Sequence, residues 1–138
     1  MSTPDEELIN IATLQGRKHA IHFIGYINEE HLAGIYSLAS LFVYPSTYEG
    51  FGLPPLESLS CETPVIVSKS SSLPEVVGNH ALFVNPRNHN QLSSTLTRWY
   101  KNELEAPTNI KQAAQYARSF SWKKMAQQTV SCYENCFD

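Results

Sequence analysis

The chain has 138 residues, 42% of them hydrophobic and 17% charged, which fits one globular domain with a sizeable core. A net charge of −3 and the lack of a long lysine or arginine run argue against nucleic acid as a partner. The first residues are acidic and polar, unlike a signal peptide, and no apolar run approaches the roughly 20 residues that span a bilayer. Three cysteines without metal-ligand spacing favour thiols in a reducing cytoplasm, with peripheral membrane contact left open.

Helix and strand signals alternate along the sequence. Apolar residues at helical spacing predict a helix over residues 5–14 and another after Asn28, which can cap it. Short apolar runs predict strands over residues 20–27, 41–44, 64–67 and 81–84. Further helices are predicted over residues 54–61, 73–77, 91–100, 110–118 and 122–136. Ser72 is the expected cap of the helix at 73–77, and Ser121 is the expected cap of the last helix.

This alternation predicts the fold class α/β, a Rossmann-like three-layer domain in which helices cover both faces of a parallel sheet. The run at residues 41–44 is continuously apolar, as expected for a strand covered on both faces. We expect residues 1–138 to form one domain, with its last helices over residues 106–137. Ligands of such folds bind beyond the carboxyl ends of the strands, and residues 46–52 leave one of those ends.

Two carboxylates, Glu49 and Glu57, bracket a glycine-rich bend that runs into a predicted helix. Gly50 and Gly52 allow the backbone to come close to a ligand, because they have no Cβ. Two prolines after Leu53 suit the first helical turn, where N–H groups and the positive end of the dipole favour phosphate. Carboxylates accept hydrogen bonds from sugar or ribose hydroxyls. The segment therefore suits a polyhydroxylated, phosphorylated ligand.

The same segment resembles a known protein family. The string from Pro45 to Glu57 is followed by Pro-Val-Ile-Val at residues 64–67 and by Leu-Pro-Glu-Val-Val-Gly at residues 73–78. Together they are similar to the C-terminal, donor-binding domain of GT-B glycosyltransferases. Within that class they resemble the retaining group 1 or family 4, and the motif residues are most similar to those of bacterial mannosyltransferases. The resemblance runs in order from about Ile21 to Trp122. It implies transfer of a hexose such as mannose, with retention, from a GDP- or UDP-sugar to an acceptor in polysaccharide biosynthesis.

The resemblance also implies a role for each residue of the motif. Glu49 would be the catalytic carboxylate beside the donor sugar, in an electrostatic or positioning part. Glu57 would hold the ribose hydroxyls. The other implied donor-binding residues are Gly50, Phe51, Gly52, Leu53, Tyr26, Ile27 and Ser46. We expect no metal and no cofactor, because the chain has no Asp-x-Asp signature and GT-B proteins usually neutralise phosphate with protein groups.

Each of these residues also has a plain structural interpretation. Glu57 could be an acid favoured by the helix dipole, and Glu49 could be a solvated loop carboxylate. The glycines could merely turn the chain, and Ser46 could cap its own loop. Residues 25–27 could form an ordinary turn between strand and helix. The residues alone leave these alternatives open.

The sequence departs from the family in two respects. Relatives carry a strand with Gly-Arg and Lys-Gly, whose cations bind the donor diphosphate, and residues 16–18 match neither its spacing nor its preceding strand. We therefore expect a domain truncated on its N-terminal side, with too few strands and without the acceptor-binding half. In addition, Glu62 stands where relatives usually have glycine. If φ is positive there, the non-glycine residue costs on the order of 1 kcal/mol.

Two hypotheses about function follow. The chain is either the donor-binding part of a glycosyltransferase that needs an acceptor-binding partner chain, or a non-catalytic nucleotide-binding or assembly module. In the second case a homo-oligomer or a partner chain would supply the missing strands. The sequence names neither the nucleotide, the sugar nor the acceptor.

Overall fold

The computed structural model describes residues 20–136. The chain divides into two compact units, Met1–Leu32 and Ala33–Asp138. The helix predicted over residues 5–14 and the residues at 16–18 lie outside the described part, and the single domain over residues 1–138 stays a prediction. Between residues 20 and 136, no helix has the length and apolar character needed to cross a membrane.

Strands and helices alternate in the described residues, as predicted. The strands are β1 (Phe42–Tyr44), β2 (Val65–Ser68) and β3 (Leu82–Val84). The helices are α1 (Glu29–Leu38), α2 (Leu53–Ser60), α3 (Leu73–Val77), α4 (His89–Tyr100), α5 (Ile110–Arg118) and α6 (Trp122–Glu134). These strands, and the helices from α2 onward, begin and end within about two residues of their predicted bounds.

The three strands form one parallel sheet in the order β1-β2-β3. Ile66 lies opposite Val43 on one side and Leu82 on the other. Parallel neighbours need a crossover, and α2 and α3 supply the two crossovers. The α/β, Rossmann-like class is therefore confirmed. The register also brings the carboxyl ends of the three strands to one edge of the sheet, where the loops that follow them lie side by side.

The core is centred on β2, whose four residues are all buried. Around it lies an apolar cluster of Leu56, Leu59, Val65, Val67, Leu73, Val76, Val77, Ala81, Ala113 and Ala117. The small side chains of α5 in this cluster let that helix pack closely on α2. β1 is only half-buried, so the prediction of a strand covered on both faces was wrong. In the part of the chain that the structure describes, β1 pairs with β2 alone.

The strand predicted over residues 20–27 was also wrong. These residues form no strand, and their large side chains are exposed, with Ile24 at 63% and Tyr26 at 77%. A strand needs a partner for its backbone, and no described strand pairs with this segment. Gly25 has φ of 64°, which also interrupts an extended backbone.

In the turn after α2, residue 62 has the positive φ that the sequence analysis considered. Glu62 has φ of 63°, in the left-handed region, so glycine is the residue that this position favours. The guanidinium of Arg118 donates to the carbonyl of Ser60, from Nε at 3.1 Å and from Nη2 at 2.6 Å. Because Ser60 is the last residue of α2, this cation satisfies an end carbonyl and complements the helix dipole.

Candidate functional site

The bend between the two carboxylates depends on Gly52 rather than on Gly50. Gly52 precedes α2 with φ of 111° and ψ of 51°, and a Cβ built there would lie 2.6 Å from Cδ2 of the buried Leu73. Gly50 has no positive φ, and a Cβ there would meet open space. The backbone conformation and packing explain why residue 52 is glycine without any ligand, which is the structural alternative given above. They do not require glycine at residue 50.

The N-terminus of α2 offers fewer backbone donors than a helix usually does. A helix start leaves four N–H groups without a helical acceptor. Two of these positions are Pro54 and Pro55, which have no N–H. The two that remain belong to Gly52 and Leu53, and neither donates to another described residue. An anion at this helix end would therefore meet two backbone donors.

The carboxylate of Glu49 is fixed by the last residue of β1. The hydroxyl of Tyr44 donates to Oε1 of Glu49 at 2.6 Å. This hydrogen bond, helped by the nearby Ser46 hydroxyl, holds the pKa of the Glu49 carboxyl below its ordinary value. The same hydrogen bond, together with burial, raises the pKa of Tyr44 to about 12. At neutral pH the pair is therefore a neutral tyrosine that donates to an ionised carboxylate.

The carboxylate of Glu57 has a matching partner from α1. The hydroxyl of Tyr36 lies 3.3 Å from Oε2 of Glu57 and donates to it. Burial, followed by the charge of Glu57, raises the pKa of Tyr36 to about 12. Glu57 is the fifth residue of α2, one turn inside the helix, and no acid lies in the first turn. A first-turn interaction with the helix dipole therefore does not explain Glu57.

An aromatic stack links the two tyrosines. The ring of Phe42 packs edge-on against Tyr36, with centroids 5.3 Å apart, and is stacked with Tyr44 at 5.8 Å. Phe42 and Tyr44 are two apart on β1 and so share a face of the sheet. The two carboxylates are thus joined through three aromatic side chains, and each depends on the same half-buried face of β1.

The backbone of the loop is held by the serines that follow β2. The carbonyl of Glu49 accepts from the hydroxyls of Ser71, at 2.6 Å, and Ser72, at 3.0 Å. Ser72 also donates to the carbonyl of Phe51 at 2.8 Å. It stands at the predicted N-cap position of α3, but its hydroxyl makes no capping hydrogen bond to that helix. Ser71 has φ of 53°, a backbone cost that its hydrogen bond to Glu49 offsets.

The side chains of the other predicted loop residues, Ser46, Phe51 and Leu53, make contacts within the protein. Ser46 donates to the carbonyl of Tyr48 at 3.2 Å, which is the loop-capping alternative. Phe51 packs edge-on against Phe120, and Phe51 and Leu53 line an apolar groove of about 370 Å³ beside α6. A contribution of Phe51 and Leu53 to ligand binding would therefore come from their backbone, and it stays a prediction.

Tyr26 and Ile27 belong to the first unit, where Tyr26 is exposed and Ile27 half-buried. Their contribution to a base pocket stays a prediction. Over residues 20–136, no group of three or more His, Cys, Asp or Glu side chains is arranged to hold a metal ion.

Sequence reasoning did not include Tyr36, Tyr44, Ser71 or Ser72 in the site. Tyr44 carried a usable signal, because it ends a strand at the sheet edge where the ligand was expected. Tyr36 carried none, since it is 21 residues away from Glu57 and reaches it only through the fold.

Comparison with known proteins supports the same family as the motif. The family model described as "Glycosyl transferases group 1" matches residues 3–117. An α/β domain with this match and with two fixed carboxylates after its first sheet strand is of the glycosyltransferase class. The chain belongs to the group 1 glycosyltransferase family.

Similar proteins include several whose names refer to mannose. The chain is 35% identical to the O-antigen chain mannosyltransferase B of Escherichia coli, over 94% of this chain and 34% of that protein. It is 34% identical to the MMP alpha-(1->4)-mannosyltransferase of Mycolicibacterium hassiacum, over 95% of this chain and 32% of that protein. The chain thus spans about a third of the length of these relatives.

Solved structures agree on the fold. The sucrose-phosphate synthase of Thermosynechococcus elongatus superposes with a TM-score of 0.80 at 30% identity, over 96% of this chain and 34% of that one. HepE of Anabaena, solved in complex with UDP, superposes with a TM-score of 0.79 at 21% identity, over 94% of this chain and 36% of that one. The predicted GT-B C-terminal fold is therefore confirmed.

Proposed function

We propose that this chain is the donor-binding part of a retaining hexosyltransferase, and that residues 46–53 hold a nucleotide-sugar such as a GDP- or UDP-sugar. The observation that carries the proposal is the paired fixing of two carboxylates. Tyr44 holds Glu49, and Tyr36 holds Glu57, on either side of the glycine bend. The names of the similar mannosyltransferases support mannose as the hexose. A cytoplasmic location is part of the same proposal.

Glu49 would act on the charge that develops during transfer. The bond from the sugar C1 to the diphosphate oxygen breaks, and a bond from C1 to an acceptor hydroxyl oxygen forms as that hydroxyl loses its proton. Positive charge grows on the sugar ring in between, and a nearby carboxylate stabilises it. The hydrogen bond from Tyr44 favours the ionised form of Glu49, which is the form this role requires.

Glu57 and the start of α2 would hold the nucleotide. A carboxylate has about four lone-pair sites, so Glu57 can accept from ribose hydroxyls while it keeps the hydrogen bond from Tyr36. The N–H groups of Gly52 and Leu53 would donate to a phosphate oxygen at the positive end of the helix dipole. No step of this scheme uses a metal ion, so chelators should leave binding unchanged.

We expect the 138-residue chain to bind nucleotide weakly and to transfer no sugar unaided, because the cation pair that binds the diphosphate in relatives has no match in its sequence.

The test is thermal unfolding with GDP, UDP, GDP-mannose and UDP-glucose, with and without EDTA. A ligand that binds only the folded chain stabilises it by RT ln(1 + [L]/Kd), about 2.7 kcal/mol at 100 times Kd. The absence of stabilisation by every nucleotide at millimolar concentration would contradict donor binding. Sugar transfer by the purified chain alone would contradict the need for a partner.

One observation favours the second function, an assembly module. Among residues 20–136, β1 pairs only with β2, so its other edge can accept a strand from a second copy or another chain. Light scattering of the purified chain tests this function directly. A concentration-dependent dimer supports strand donation between copies, and a strict monomer from micromolar to millimolar concentration contradicts it.

A further inference from the structure

A second groove opens beside the two-carboxylate motif and is lined by different side chains. It has a volume of about 480 Å³ and lies at the carboxyl ends of β2 and β3. Its polar lining comes from three loops and the first turn of α4: Thr47, Lys69, Ser70, Asn85, Arg87 and Gln91. Neither Glu49 nor Glu57 lines it, and Thr47 is its one lining residue from the loop of residues 46–53, so the groove adjoins the proposed donor site but does not coincide with it.

The charge in this groove is entirely positive. Lys69 and Arg87 both line it, and no Asp or Glu does. Both cations are exposed, and neither forms an ion pair with any residue that the structure describes. In a chain with net charge −3, two unneutralised cations in one concave site attract an anion specifically to that place.

The amide side chains of the groove are oriented as donors. Oε1 of Gln91 accepts from the backbone N–H of Asn85 at 2.7 Å, and Oδ1 of Asn85 accepts from the backbone N–H of Arg87 at 2.9 Å. Each side-chain oxygen is thus engaged by the loop, which leaves the two NH₂ groups to donate. The same hydrogen bonds hold the loop that carries Arg87 against α4.

The backbone of Lys69 is fixed to the neighbouring strand. Its N–H donates to the carbonyl of Val84, the last residue of β3, at 2.8 Å. Lys69 and Arg87 therefore extend from two adjacent strand ends, on backbones that hydrogen bonds hold in place. Thr47 and Ser70 add hydroxyl donors at the same edge.

We propose that this groove binds a phosphate group, either free phosphate or a phosphate monoester on a sugar. A phosphate monoester carries a charge of about −1.5 to −2 at pH 7, which the two cations balance. Its oxygens accept several hydrogen bonds, which the hydroxyl and amide donors supply. Ser70 directly precedes Ser71, which holds the carbonyl of Glu49, so the phosphate would lie next to the loop proposed to hold the sugar donor.

The test is a two-dimensional ¹H–¹⁵N NMR titration of the full chain at constant ionic strength. The probes are sodium phosphate and glucose 6-phosphate, with glucose and sodium chloride as controls. We expect saturable shifts of the amides of Thr47, Lys69, Ser70 and Arg87 with both phosphate probes and none with glucose. Tighter binding of glucose 6-phosphate than of phosphate identifies a sugar phosphate as the ligand, and equal binding identifies the phosphate group alone.

Charge-matched variants separate the groove from general attraction to cations. The double variant Lys69→Gln/Arg87→Gln should bind phosphate at least about tenfold more weakly, because hydrogen bonds to charged groups are lost. The control Arg98→Gln/Lys101→Gln removes the same charge from exposed residues around the end of α4 and should bind as the parent does. Single variants at residues 69 and 87 serve if the double variant does not fold.

Shifts that do not saturate, or equal losses in both double variants, would overturn the proposal. Phosphate bound at the start of α2 would shift the amides of Gly52 and Leu53 instead and would not depend on Lys69 and Arg87, so failure of this proposal and failure of the proposed donor site are distinguishable.

Discussion

The hydroxyl of Tyr44 lies 2.6 Å from Oε1 of Glu49, so the end of β1 holds the acid beside the glycine bend in one place and in its ionised form. The hydroxyl of Tyr36 donates a hydrogen bond to Oε2 of Glu57, at 3.3 Å. Because Phe42 packs against both tyrosine rings, a change on this face of β1 affects both carboxylates.

Replacing Tyr44 by Phe should raise the pKa of Glu49 toward its ordinary value of 4.5, because the hydrogen bond from the Tyr44 hydroxyl is the largest cause of the lowered pKa. A carboxyl with a lowered pKa in the folded state contributes stability above its ordinary pKa and loses it as the pH falls through the lowered pKa. Carbon-detected NMR titration of the Glu49 carboxyl measures this pKa. Tyr36→Phe is the control and should leave the Glu49 pKa unchanged. An unchanged Glu49 pKa in Tyr44→Phe would contradict the assignment.

Gly52→Ala should lower the free energy of unfolding by about 1–3 kcal/mol, because it places a Cβ at positive φ and against the buried Leu73. Gly50→Ala is the matched control, two residues away in the same loop. It should be near neutral, within about 0.5 kcal/mol, because space is open and φ is not positive. Urea unfolding measures both variants. Equal effects of the two substitutions would show that Gly52 does not have the described backbone.

Glu62→Gly should raise the free energy of unfolding by about 1 kcal/mol, because glycine adopts φ of 63° without strain. The side chain contributes little in return, since its contact with Arg118 is an exposed ion pair of 3.9 Å. Glu62→Ala removes the same charge but keeps the strained backbone, so it should be close to the parent in thermal unfolding. If alanine stabilises as much as glycine, the gain comes from the charge and not from the backbone.

Two fully buried serines should respond oppositely to alanine. The hydroxyl of Ser58 has no hydrogen-bond partner among the described residues, so Ser58→Ala should stabilise the chain by about 1 kcal/mol. The hydroxyl of Ser68 donates to the carbonyl of Ser46, so Ser68→Ala should destabilise it by about 1–2 kcal/mol. Chemical denaturation gives both values. Destabilisation by Ser58→Ala would indicate a partner for that hydroxyl, such as a bound water.

The elements around β2 were predictable from sequence because local signals and packing agree there. The residues Val65 to Val67 form a short apolar run bounded by turn residues, and they are fully buried as such a run requires. Asn88, Asn109 and Ser121 start α4, α5 and α6 with side-chain oxygens that accept from helix N–H groups.

The prediction of a strand over residues 20–27 was wrong because an apolar run does not show whether another strand is present to pair with it. Gly25, which has φ of 64°, was visible in the sequence, but glycine alone does not specify a left-handed backbone. Ser72 stands at the N-cap position that the sequence predicts, yet its hydroxyl donates to a loop more than 20 residues earlier and not to the helix.

The candidate site was predictable in its acids and glycines, but not in the groups that hold them. Glu49 and Glu57 are eight residues apart, and a spacing of this kind is visible in a sequence. Tyr36 and Ser71 reach the site through contacts 21 and 22 residues apart in the chain. Such contacts follow from the order and register of the strands, which the sequence pattern does not determine.

The central claim is most directly tested by calorimetric titration of the chain with GDP and UDP, comparing the parent with Glu57→Gln. Glutamine keeps the size of the side chain but removes the charge that accepts ribose hydroxyls, so the affinity should fall at least about tenfold. Glu103→Gln removes an exposed charge elsewhere and should bind as the parent does. Measurable binding of either nucleotide by the parent and by Glu103→Gln, with that loss in Glu57→Gln, is the result that the account predicts. Equal affinity of all three proteins for a nucleotide, or no binding of either nucleotide by the parent, would contradict it.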